Sequence, residues 1–126
     1  MSYYILISGK RDFTDYATFC NILNASLANI DDEIIIVEGG AKGADALAKR
    51  YAIEQGYRFI EFPADWNGFG RAAGVIRNAE MINFIKDKTC KALFFWDGQS
   101  RGTGDCLMRA KRAGIKCEIN YIVNED

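Results

Sequence analysis

Residues Leu93-Phe94-Phe95-Trp96-Asp97-Gly98-Gln99-Ser100-Arg101-Gly102-Thr103-Gly104 pass from an unbroken apolar run into a glycine-punctuated turn with hydroxyls, one acid and one arginine. An apolar run of strand length means that both faces of the strand are covered, as in the parallel sheets of α/β proteins. The turn therefore leaves the carboxyl edge of such a sheet. Asp105 to Ala113 then sets Cys106, Leu107, Ala110 and Ala113 at the three-and-four spacing of an amphipathic helix that stops at Gly114. Strand, turn and helix in this order bring Gly102-Thr103-Gly104 to a helix start, where uncovered N–H groups and the dipole favour an anion by roughly 0.3–1 kcal/mol. A phosphate or carboxylate is the expected guest, held by Ser100, Gly102 and Thr103.

The same alternation extends outward from this stretch. Tyr3 to Ser8 reads as a first strand ending at Gly9, and Thr14 or Asp15 caps a helix with Phe19, Ile22, Leu23 and Leu27 on one face. Glu33 to Val37 is a second strand. It is followed by the turn Glu38-Gly39-Gly40-Ala41-Lys42-Gly43-Ala44-Asp45 and a helix through Leu47, Ala48, Tyr51 and Ala52 to Gly56. Tyr57 to Phe62 is a third strand before Pro63, with a long loop over residues 64–70. A helix over residues 71–86 has Val75, Ile76, Met81, Ile82 and Ile85 among its apolar positions, and Lys116 to Ile122 supplies the fifth strand. Five strands and four helices in alternation predict one α/β, Rossmann-like three-layer domain over residues 1–126, with a five-stranded, mostly parallel sheet and helices on both faces. The expected strand order is 3-2-1-4-5. That order makes the first and fourth strands neighbours at the switch point, so the turns after Ser8 and Trp96 open on one crevice.

Composition narrows the function. The chain has 126 residues, 49% of them hydrophobic, enough for one core. Sixteen basic and seventeen acidic residues give a net charge of -1, so no global pull toward nucleic acid or an acidic membrane is expected, and any anion site is local. The N-terminus lacks a basic, secretory-type leader and no apolar run approaches eighteen residues, so a cytoplasmic protein is expected. Cys20, Cys90, Cys106 and Cys117 are scattered without a CxxC pair and read as reduced core thiols. Histidine is absent, which excludes Ser-His and Cys-His nucleophiles within the chain and leaves acid-base work to carboxylates. No metal and no cofactor are expected.

The candidate ligand-binding residues fall in four groups. Ser8, Gly9 and Arg11 end the first strand, where an arginine grips a phosphate bidentately. Gly39, Gly40 and Gly43 let the backbone approach a phosphate or sugar, with Asp45 in the first helical turn to hold a ribose hydroxyl; the pattern is neither GxGxxG nor a Walker loop. Arg71, Arg77, Asn78 and Glu80 lie within ten residues on the long helix, and Arg77 shares a face with Glu80 by i, i+3 spacing. Asp97, Gly98, Ser100, Gly102 and Thr103 form the turn after the fourth strand. Glu80, Asp97 and Asp45 are the carboxylates available for acid-base work, with Asp97 best placed at the switch point.

Five motifs recur in order: G-x-R-x-F from Gly9, G-G-A-x-G-A-D from Gly39, P-A-D-W from Pro63, G-R-x-A-G-x-x-R-N-x-x-M from Gly70, and W-D-G-x-S-R-G-T from Trp96. Together they cover nearly the whole chain, and the sequence resembles the YspA-like branch of the SLOG superfamily, Rossmann-like domains related to the LOG cytokinin-activating enzymes. The resemblance implies binding of a nucleotide or nucleotide-derived small molecule, such as a nucleoside phosphate or an ADP-ribose or NAD relative. It also implies assembly through helical faces, so a homo-oligomer is expected, with no nucleic-acid or membrane partner. The LOG enzymes cleave the N-glycosidic bond of a nucleoside monophosphate with an arginine on the long helix and a glutamate three residues after the Gly-Thr of the phosphate loop. Arg77 matches that arginine, whereas the glutamate position holds Cys106. A thiol does not replace a carboxylate in steadying an oxocarbenium-like transition state or activating water. A sensor or sequestering module therefore ranks above a nucleotide N-glycoside hydrolase.

Overall fold

The computed structural model of the protein describes residues 1–123. Its strands are β1 (Ser2–Gly9), β2 (Glu33–Glu38), β3 (Arg58–Glu61), β4 (Cys90–Trp96) and β5 (Cys117–Tyr121), ordered β3-β2-β1-β4-β5 with every pairing parallel. The α/β, Rossmann-like order expected from the sequence is the order observed. The helices are α1 (Tyr16–Leu27), α2 (Ala44–Gln55), the single turn α3 (Trp66–Phe69), α4 (Ala73–Ile85) and α5 (Arg101–Arg112).

Period-two alternation divides the apolar strands between two cores. Ile5, Ile7, Leu93 and Phe95 pack with Phe19 and Leu23 of α1 and Ala48 and Tyr51 of α2. Leu6, Ala92 and Phe94 pack on the opposite face with Met81, Ile82 and Ile85 of α4 and Leu107 and Ala110 of α5. Covering both faces is what makes β1 and β4 read as unbroken apolar runs. Phe95 anchors the first core, stacked on Phe19 at 4.9 Å and on Phe13 at 5.5 Å between ring centroids. Each such fully buried side chain contributes about 1.5–3 kcal/mol of hydrophobic stabilisation. Among the described residues, no helix is long and apolar enough to cross a membrane.

Four features depart from the sequence reading. The final helix begins at Arg101 and not near Asp105, because Asp97 Oδ1 accepts the N–H groups of Gln99 at 2.8 Å and Ser100 at 2.7 Å and so tightens the turn. Gly102, Thr103 and Gly104 are thus the first turn of α5 itself. The loop after β3 contains α3, capped by Asp65, whose Oδ1 accepts from the Gly68 N–H at 2.8 Å, and then a 3-10 turn over Gly70–Ala72. Lys91 lies inside β4, buried, with its Nζ bonded to Ser26 O at 2.7 Å and to Glu118 at 2.8 Å. Val75 is exposed, while Asn78 takes a buried place on α4 beside Met81 and Ile82.

Candidate functional site

β1 and β4 are neighbours in the sheet, with Ser8 opposite Phe94 and Gly9 opposite Phe95, so their following turns leave the carboxyl edge side by side. The close fit needs Gly9: a Cβ there would come within 2.6 Å of Phe95 O and 2.7 Å of the Ala44 side chain. Over the two turns opens a cavity of about 740 Å³. Sites for small molecules run from roughly 300 to 1,000 Å³. The β1 turn contributes Ser8, Gly9 and Arg11, α4 contributes Arg77 and Asn78, the 3-10 turn Arg71, and the β4 turn and α5 contribute Asp97, Ser100, Gly102 and Thr103. Residues expected from four separate segments thus share one cavity.

The cavity is cationic in a chain that is not. Lys10, Arg11, Arg71, Arg77 and Arg101 line it, against Asp12, Asp45 and Asp97. The acids are already engaged. Asp12 lies 3.2 Å and Asp97 3.8 Å from Lys10 Nζ. The two backbone donors, Ser100 first and then Gln99, hold the Asp97 carboxyl down at about 2. At the start of α5, Ser100 makes no side-chain capping bond, and the first intrahelical bond is from Gly104 N to Ser100 O at 3.0 Å. The N–H groups of Arg101, Gly102 and Thr103 precede that bond and have no acceptor within the helix. Nothing lies within 4 Å of a Cβ built on Gly102, so a ligand has room to approach.

Asn78 joins the two helices that bound the cavity. Its Nδ2 donates to Gly102 O and to Asp105 Oδ2, both at 3.1 Å, and its Oδ1 accepts from Arg77 Nε at 3.0 Å. Arg77 Nη1 also donates to Gly39 O. The expected Arg77–Glu80 partnership does not form: Glu80 is exposed and lines no described cavity, because α4 turns Arg77 toward Gly39.

The glycine-rich turn after β2 is built differently from its sequence reading. Its donors face inward: Asp45 Oδ2 accepts from Gly39 N at 3.1 Å and Ala41 N at 3.3 Å, and Glu38 Oε1 accepts from Gly40 N at 2.6 Å. Gly39 leaves space for the Arg77 guanidinium and the Asp45 carboxylate. Gly43, at φ 74, packs against the Lys10 and Arg11 backbone, where Ala44 N donates to Lys10 O at 3.1 Å, and it lines neither cavity. Gly98 likewise turns the chain, at φ 82, without reaching a cavity. Asp45 does line the cavity, but burial pushes its carboxyl up to about 6 against the pull of Arg77 and its two N–H donors.

Sequence reasoning singled out neither Glu38 nor Arg101, ranked Lys10 below Arg11, and favoured a core place for Trp66 over a base-stacking one at the loop rim. Glu38 is fully buried; burial raises its carboxyl to about 8, and its Oε2 has no hydrogen-bond partner among the described residues. A carboxylate closing an apolar strand just before Gly-Gly was the available signal. Trp66 is half exposed at the cavity, with the Arg11 guanidinium 5.4 Å from its ring centroid. Arg11 and Trp66 also line a second cavity of about 520 Å³, bounded by Gly39, Gly40, Lys42, Pro63 and Ala64. Cys106 is wholly buried, its thiol raised to about 12 by burial, and the other three cysteines are also free thiols. No group of three potential metal ligands is assembled among the described residues.

Parallel sheet, switch-point crevice and open helix start define a Rossmann-like α/β protein. The chain belongs to the YspA, cpYpsA-related SLOG family, whose sequence model matches residues 3–69. It is similar to the Gene 61 protein of Mycobacterium phage D29, with 37% identity over 122 residues that span 93% of this chain and 94% of that one. Among solved structures it is similar to a predicted subunit of tRNA methyltransferase from Methanocaldococcus jannaschii, at 14% identity and a TM-score of 0.41, over 97% of this chain and 68% of the other.

Proposed function

We propose that the protein binds a nucleotide or nucleotide-derived ligand, a nucleoside phosphate or an ADP-ribose or NAD relative, at the carboxyl edge of its sheet, as a sensor or sequestering module. The observation that carries this reading is the uncapped start of α5 opening into a cavity lined by five cations and three aspartates, a local positive excess in a protein of net charge -1. The phosphate sits at the N–H groups of Gly102 and Thr103, with the Ser100 and Thr103 hydroxyls beside it. Trp66, half exposed at the same cavity, offers an aromatic face to a base.

Binding ranks above N-glycoside cleavage because the cavity lacks a carboxylate suited to the work. A group that exchanges protons in catalysis works best with its pKa near the operating pH. Asp97 spends its Oδ1 on the Gln99 and Ser100 N–H groups and has its Oδ2 3.8 Å from Lys10 Nζ, and Glu80 lines no described cavity. Asp45, at about 6, is the nearest to neutrality, but its Oδ2 is taken by two backbone donors and it is 5% exposed. Cys106, at the position of the LOG glutamate, is buried and stays a neutral thiol.

Incubation with nucleoside phosphates, NAD and ADP-ribose, followed by separation of bound, free and cleaved material, tests both readings. Retention of intact ligand is expected. Release of free base, lost in Asp45→Asn while binding persists, would replace the binding module with a hydrolase. Self-association belongs to the same proposal, since the crevice is open and a second copy would help close it; a strictly monomeric mass in light scattering would remove that part.

A further inference from the structure

The second cavity shares Arg11, Ala41, Trp66 and Arg77 with the first, so the two adjoin along these residues. Its lining differs in kind. It has three cations, Arg11, Lys42 and Arg77, and no aspartate or glutamate. Lys42 is exposed and makes no hydrogen bond or ion pair among the described residues. The N–H groups of Gly39, Gly40 and Ala41 are spent on Asp45 and Glu38, so these three amides do not serve an anion here. Pro63 and Ala64 add no polar side-chain atoms.

At about 740 and 520 Å³, each half is large enough for one compact chemical unit, within the roughly 300–1,000 Å³ of ordinary ligand sites. Cations line both halves, Lys42 the second alone, and the Trp66 ring is common to the two, which matches a ligand with two anionic groups and a flat unit. We propose that the second cavity is an anion subsite for the same ligand, which is therefore a nucleotide phosphorylated at two separate positions. One phosphate lies at the start of α5 and the other at Lys42, with sugar and base against Trp66. This inference rests on the nucleotide-binding reading and adds to it the number and separation of the phosphates.

Calorimetric titration at one ionic strength, with the 5′-monophosphate, 5′-diphosphate and 3′,5′-bisphosphate of each of the four common ribonucleosides, tests it. For at least one base, the 3′,5′-bisphosphate should bind wild type about tenfold more tightly than the monophosphate, the scale of one added charge-assisted hydrogen bond. It should also exceed the 5′-diphosphate, which carries similar charge at one end only. Lys42→Ala should reduce the preference to about twofold or less, since the loss of a charged partner is felt only by the ligand that reaches it, and should leave monophosphate affinity unchanged. Lys111→Ala, on the exposed end of α5, should change neither. Equal affinities, a 5′-diphosphate as good as the bisphosphate, or a preference that survives Lys42→Ala would overturn the second subsite while leaving nucleotide binding intact. Failure of every nucleotide to bind would overturn both.

Discussion

The turns after β2 and β4 are alike in composition and opposite in construction. Each is rich in glycine, follows an apolar strand, leads into a helix and contains an aspartate that accepts two backbone N–H groups. After β2, Asp45 and Glu38 take the N–H groups of Gly39, Gly40 and Ala41 inward, so the turn is closed by the chain's own carboxyl groups. After β4, Asp97 takes those of Gln99 and Ser100 and stops there, leaving the next three to face a cavity. Burial completes the contrast, since Asp97 is held at about 2 while Asp45 and Glu38 rise to about 6 and 8. Glycines in one turn let the protein pack against itself; in the other they leave room for something else.

Breaking the closed turn should have the largest effect. Gly43→Ala places a Cβ on a backbone at φ 74 and against backbone atoms of Lys10 and Arg11. A loss of about 3 kcal/mol or more in denaturant unfolding is expected, combining backbone strain with overpacking.

The next effect is one of pH. The Glu38 carboxyl sits at about 8 in the fold against an ordinary 4.5, so between these values the folded state holds a proton that the unfolded chain has released. Stability therefore falls as pH rises through that window, by at most about 1.4 kcal/mol per pH unit from this group. Asp45 acts in the same direction between 3.8 and about 6, and Asp97 in the opposite direction between about 2 and 3.8. Glu38→Gln should flatten the decline between pH 6 and 8, where Glu38 is the group of the three that still titrates. Thermal melts across that range give the slopes, and identical slopes in variant and wild type would refute the assignment to Glu38.

The smallest effect sharpens the comparison from the other side. Gly102→Ala meets open space in a helical turn, so stability should hold or rise by up to about 1 kcal/mol, the helix-propensity difference between the two residues. A destabilisation like that of Gly43→Ala would mean that the open turn is structural too.

The contrast also marks where the sequence stops being informative. Strand order was legible because β1, β2 and β4 are buried on both faces, and the caps at Asp15 and Gly56 follow local rules. The convergence of Ser8, Arg11, Arg77, Ser100 and Thr103 on one cavity follows from that order. What sequence could not reveal is which acceptor each turn amide would find. Gly39-Gly40 reads as an anion cradle until Glu38 and Asp45 are seen to fill it. Helical spacing likewise paired Arg77 with Glu80, but the Gly39 carbonyl in the turn after β2 and Asn78 hold the guanidinium instead. Those are contacts across 38 residues and between adjacent ones respectively, and neither has a periodic signature.

Amide chemical shifts during titration with nucleoside 5′-monophosphates test the central claim most directly, because they report on each turn separately in the intact protein. The N–H signals of Gly102 and Thr103 should move with saturable dependence on nucleotide while those of Gly39, Gly40 and Ala41 stay comparatively fixed on the carboxyl groups of Asp45 and Glu38. Movement concentrated at Gly39 to Ala41, with Gly102 and Thr103 unchanged at saturation, would contradict it.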